Sequence, residues 1–134
     1  MTLAELNQHL ELVEELRTSE ELLQGLWEMA APGAHKLDGM PSSSGVSDPT
    51  ARIAVEIAEM EDKIERLKAE IEKSEVPVIA FIDEIRNTKE RIAFKLRFLE
   101  GLSWKAVSEI LKYSTPDAPR MAVYQQLKRI NKKV

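Results

Sequence analysis

The sequence predicts an all-α protein: an N-terminal helix and a long coiled-coil helix joined to a C-terminal helix-turn-helix domain. Three observations predict it. Ile53, Ile57, Met60, Ile64, Leu67 and Ile71 are spaced 4, 3, 4, 3, 4, which is the a/d seam of a coiled coil. Apolar residues at helical spacing flank Gly101 on both sides, so one helix ends and another begins there. The final stretch has an aliphatic stripe opposite a Gln/Lys/Arg face.

The first element spans residues 1–31. Thr2 and Glu5 form a capping box, since the Thr hydroxyl can accept from the Glu backbone N–H. Leu3, Leu6, Leu10 and Val13 follow a 3-4-3 seam, and Leu16, Leu22, Leu23, Leu26 and Trp27 continue an apolar face less regularly. Thr18-Ser19 before Glu20-Glu21 reads as a break and restart. The acidic residues Glu11, Glu14, Glu15, Glu20 and Glu21 form a solvated face.

Residues 32–48 are a linker rich in Pro, Gly and Ser. It has no Gly-Lys-Ser/Thr ending, so it is not a phosphate-cradling P-loop. Ser42, Ser43 and Ser44 have no histidine-centred triad, because the only histidines are His9 and His35, outside any catalytic motif.

Asp48-Pro49 caps the coiled-coil helix, residues 49–76 with the linker-side cap outside it. Its seam asks for a partner. Residues 3–16, folded back as a hairpin, are one choice; the same helix of a second subunit is the other, and a homodimer through this helix is the favoured expectation. Ser74 to Pro77 marks a break or kink, with Pro77 opening the next helix, because proline cannot donate its backbone hydrogen.

The C-terminal domain covers residues 77–134. Ile79, Ile82 and Ile85 lie at helical spacing, and residues 78–86 form its first helix. Asn87-Thr88 caps the next, which carries Ile92, Leu96 and Leu99 on one face and Phe94 and Phe98 on another. Gly101 supplies a left-handed stop, and Ser103 caps a short helix with Trp104, Val107 and Leu111 inward. Trp104 and Tyr113 read as packing residues rather than base-stacking ones. After a turn, Thr115-Pro116 caps the last helix, with Pro119 in or near its first turn. Val123, Leu127 and Ile130 face the core, while Met121, Gln125, Lys128, Arg129 and Lys132 face away.

Charge supports a nucleic-acid partner for this end. The net charge is -4, yet residues 86–134 hold 12 Lys/Arg against 4 Asp/Glu, and residues 1–85 hold 7 against 19. Local potential decides contact within a Debye length of about 8 Å, so the acidic half is expected to project away from a duplex. Long cations reach phosphates and an amide reads a base edge. The expected double-stranded DNA contacts are Thr115, Arg120, Met121, Gln125, Lys128, Arg129, Lys132 and Lys133.

Leu96-Arg97-Phe98-Leu99 followed by Gly101-Leu102-Ser103-Trp104-Lys105-Ala106-Val107 resembles the helix-turn-helix of sigma-factor region four. The closer resemblance is to a group of small sigma-region-four-like, late-transcription-regulator-like proteins of Gram-positive phages and prophages. Gly39-Met-Pro-Ser-Ser-Ser-Gly-Val-Ser-Asp48 and a lengthened turn with Arg120 early in the last helix share in it, over roughly Leu37 to Lys132. The resemblance implies a DNA-binding transcription regulator in the cytoplasm of a bacterial host, with RNA polymerase as a second partner.

Other classes are weaker. No nucleophile with a base, metal constellation or cofactor fingerprint is present, so neither an enzyme nor a cofactor is expected. The absence of cysteine rules out a disulfide framework and fits a reducing compartment. Neither a signal peptide nor a membrane span is expected: the start lacks a basic n-region, and the longest apolar run, Val78–Ile82, is too short to cross a bilayer. Two alternatives remain: a small DNA-packaging terminase subunit, against which the order of elements counts, and a coiled-coil interaction protein that docks on polymerase or a host factor.

Overall fold

A computed structural model describes residues 1–31 and 49–132. The described residues are all-α, with no strand among them. The helices are α1 (Leu3–Ala30), α2 (Pro49–Asp83), α3 (Thr88–Phe94), α4 (Trp104–Leu111) and α5 (Asp117–Lys132), and α3 continues as a π-helical turn, Lys95–Leu99. The expected linker 32–48, its Gly39–Asp48 stretch and Lys133 lie outside the described residues. No described helix is long and apolar enough to cross a membrane.

Packing groups the chain into two compact units, Met1–Glu14 with Glu70–Val134, and Glu15–Ala69. The second is a helical pair. Its α2 seam residues Ile53, Ile57, Ile64 and Leu67 are buried within one chain. The partner stretch of α1 begins at Glu15, whose carboxylate meets Lys63 Nζ at 3.2 Å. The antiparallel run in this unit therefore pairs the seam from Ile53 to Leu67 with residues 15–31, whereas Ile71 falls in the unit that holds residues 1–14; the hairpin alternative read from the sequence uses residues 3–16. Four of the six seam residues are thus buried within one chain, while Met60 and Ile71 stay partly exposed. The expected break at Thr18-Ser19 is also absent. α1 runs through it with Ser19 only 1% exposed, because burial of the apolar face outweighs the small helix penalty of Thr and Ser.

The first unit holds the main core: Leu6 and Leu10 of α1, Val78 and Ile82 of α2, then Ile85, Ala93, Phe94, Phe98, Val107, Val123 and Leu127. The capping box forms, with the Glu5 N–H donating to Thr2 Oγ1 at 3.2 Å. α2 does not stop before Pro77; the proline lies inside the helix. A proline in a helix interior costs about 3 kcal/mol. Burial of Val78, the next residue, and of Ile82 five residues on, each worth roughly 1.5–3 kcal/mol, offsets that. The separate helix expected at 78–86 is therefore the end of α2, although those residues do pack where expected: Phe81 meets Phe94 edge-on at 5.8 Å between ring centroids.

Of the two apolar faces expected in α3, the aromatic one is the more deeply buried. Phe94 and Phe98 are fully buried, whereas Leu96 and Leu99 are partly buried and Ile92 is exposed. A π-helical turn, Lys95–Leu99, follows Phe94. Its i to i+5 bond, Glu100 N–H to the Lys95 carbonyl at 3.0 Å, widens the helix and shifts the register from the 3.6-residue spacing.

Candidate nucleic-acid interface

The interface rests on how α5 is held. Asn87 caps α3 by accepting the Glu90 N–H at 2.9 Å, and Ser103 caps α4 by accepting the Ala106 N–H at 3.1 Å. Between them Gly101 turns the chain at φ 72°, a backbone state that glycine adopts without a Cβ clash. Arg97 clamps that turn: its Nη1 donates to the Leu102 carbonyl at 2.9 Å and its guanidinium lies 5.0 Å from the Trp104 ring centroid. Trp104 also meets Phe98 edge-on at 6.3 Å. The indole is a packing element of the turn.

α4 ends on Lys112, in the left-handed region at φ 59°, ψ 45°. The Lys112 and Tyr113 N–H groups both reach the Ser108 carbonyl. Ser108, buried, turns its hydroxyl the other way and donates to the Thr115 carbonyl at 2.9 Å, with the Tyr113 carbonyl 3.4 Å away. One residue thus closes α4 and fixes the start of α5. Tyr113 is held by Lys89, whose ammonium lies 4.1 Å from the ring centroid. Burial, with help from the Glu90 charge, raises the Tyr113 phenol above its ordinary pKa. The ring belongs to the packing of the turn.

Thr115 caps α5, its Oγ1 accepting the Ala118 N–H at 3.2 Å. Pro119 is buried in the first turn, where its missing N–H costs nothing. Val123 and Leu127 are buried, and Ile130 packs against the same core. The opposite stripe consists of Met121, Gln125, Lys128 and Lys132, all exposed. With Tyr124, Leu127, Asn131 and Leu3 of α1 they line a groove of about 580 Å³.

Four of the eight expected contacts therefore share one surface. Thr115 is exposed but committed to its cap. Arg120 is tied to Asp117 at 3.2 Å and stacks near Tyr124, its centroid 5.7 Å away. Arg129 is exposed, with its Nη2 3.4 Å from Glu90 of α3. Lys133 lies outside the described residues. Asn131 was missed, although it lies three residues from Lys128, on the same side of a helix; Tyr124, which the sequence leaves open between core packing and contact, also lines the groove. The border formed by Leu3 carries no local signal, since it depends on where α1 docks.

Charge is local here. The compact unit that contains α5 joins residues 1–14 and 70–134, which together hold 13 Lys/Arg against 12 Asp/Glu. The acidic stretches 1–14 and 70–85 are thus in the same unit as the basic tail, contrary to the expectation that the whole acidic half stands apart. Among the described residues, α5 itself carries Arg120, Lys128, Arg129 and Lys132 against the single acid Asp117. No group of described His, Asp or Glu side chains is arranged to hold a metal ion. Comparison with protein-family models, with curated proteins and with solved structures gives no match to this chain.

Proposed function

We propose that the protein binds double-stranded DNA through the exposed stripe of α5 and acts, without catalysis, as a transcription regulator of phage type. The observation that carries this reading is the placement of Met121, Gln125, Lys128 and Lys132 on one open stripe, with Val123 and Leu127 locking the other side. Lys128 and Lys132 neutralise phosphates and set a salt-dependent affinity. Gln125 has the donor–acceptor pair that matches an adenine edge, and Met121 offers an apolar contact to a thymine methyl. The sigma-region-four resemblance around Leu96–Val107 supports the same assignment of α5 as the reading helix.

The test is a selection of bound duplexes from random sequence, followed by a salt titration. Replacing Lys128 and Lys132 together by alanine should weaken all duplexes alike and flatten the slope of log affinity on log salt by about 2. Gln125→Ala should instead relax preference at one base position, by roughly 1–3 kcal/mol. Unchanged affinity in the double variant, with helicity retained, would move the contact surface elsewhere.

A second reading draws on the apolar side chains in the same groove. Leu3, Tyr124 and Leu127 beside Met121 suit an apolar side chain of a protein partner such as RNA polymerase or a host factor. Polymerase binding without any duplex affinity would favour it.

A further inference from the structure

With most of the α2 seam covered inside the chain, one face of the Glu15–Ala69 unit, which includes Met60 of that seam, stands open. A groove of about 660 Å³ runs along it, with Leu22, Gly25, Leu26 and Met29 from α1 and Met60 from α2 as its apolar lining. Leu22 and Met29 are each 54% exposed. Gly25 sits in mid-helix, where glycine costs about 1 kcal/mol relative to alanine. Nothing among the described residues requires it: a Cβ there would meet none of their atoms within 4 Å. A small residue facing empty space leaves room for something to approach.

The charges along the same groove indicate what approaches. On α2 they run Glu56, Glu59, Lys63, Arg66. Glu59 lies two residues before Glu61 and Lys63 two after; Glu56 lies five before and Arg66 five after. The stripe is therefore a charge palindrome. A second copy laid antiparallel about a two-fold axis at the level of Glu61 places each Glu59 opposite a Lys63 and each Glu56 opposite an Arg66. A two-fold contact uses the same patch on both copies, so its charges must be self-complementary, as these are. Glu56 and Glu59 have no ion-pair partner among the described residues. The present pairs of the two cations, Lys63 with Glu15 at 3.2 Å and Arg66 with Asp62 at 3.7 Å, are exposed and readily exchanged.

We infer that this face is a homodimer interface, in which two helical pairs pack antiparallel through Leu22, Gly25, Leu26, Met29 and Met60, with the Glu56/Glu59 and Lys63/Arg66 stripes setting the register. Apolar burial supplies the affinity, and the charges exclude the parallel arrangement, which would bring like charges together. The interface is independent of the α5 reading.

The experiment is sedimentation of the full chain over a concentration series, with charge-swapped variants. Wild type should reach twice the 15.2 kDa chain mass. Glu59→Lys alone and Lys63→Glu alone should each weaken the dimer by about tenfold or more, since the two-fold axis repeats each clash. The double swap should restore it, and the two single variants mixed should pair with each other. Gly25→Leu should keep or raise helicity, because its Cβ finds open space, while abolishing the dimer. A monomer throughout, a closed ring of more copies, or a double swap no better than the single changes would overturn the inference.

Discussion

The Ser108 hydroxyl donates to the Thr115 carbonyl at 2.9 Å across the turn between α4 and α5. The backbone carbonyl of the same serine takes the Tyr113 N–H at 2.9 Å. A single buried residue therefore ends one helix and sets where the next begins.

Ser108→Ala should cost about 0.5–1.5 kcal/mol, because the hydroxyl donor is lost and the Thr115 carbonyl keeps only the Ala118 N–H at 3.2 Å. Urea unfolding should show a lower midpoint with an unchanged slope. If α5 reads DNA, the variant should also bind duplexes more weakly at temperatures where it is fully folded, since the start of that helix is no longer fixed.

Lys112 and Gly101 make a matched pair of opposite sign. Both have positive φ, 59° and 72°. Lys112→Gly should stabilise by about 0.5–1 kcal/mol, because glycine holds the left-handed region without the Cβ clash. Gly101→Ala should destabilise by about 1 kcal/mol or more. Thermal unfolding of both variants beside the wild type checks the pair, and equal shifts in one direction would contradict it.

His9 gives a pH dependence. It is 2% exposed in the core-side face of α1, its Nδ1 hydrogen-bonded with Ser74 Oγ and its Nε2 buried without a partner among the described residues. Burial lowers its pKa below 6.5, and Glu75 opposes that shift only in part. A group with a depressed folded pKa adds a penalty as the unfolded chain takes up protons that the folded one refuses. Stability should therefore be level above pH ~7 and fall as the pH drops through about 6.5 towards the lower folded value. His9→Gln should remove this part of the slope in urea unfolding at pH ~7.5 and ~5.5, leaving the carboxylate-driven loss at lower pH. A wild type equally stable at both values would disprove the assignment.

Much of the architecture is legible in the chain itself. The a/d spacing from Ile53 to Ile71, the Thr2, Asn87, Ser103 and Thr115 caps and the Gly101 stop are local signals, since each depends on residues within about a turn of one another. The same holds for the split of α5 into an aliphatic and a cationic side, because helical periodicity alone assigns the faces. What the tertiary structure decided lies between distant residues or against local preference. Pro77 stays inside α2 because Val78 and Ile82 are buried beyond it. Phe94 and Phe98 take the core because Phe81 of α2 and Trp104 of α4 pack against them. Ile53, Ile57, Ile64 and Leu67 of the seam are buried within one chain. Local rules sum small preferences of about 1 kcal/mol or less per residue, whereas each buried side chain contributes more than that; where the two conflict, the long-range packing determines the outcome.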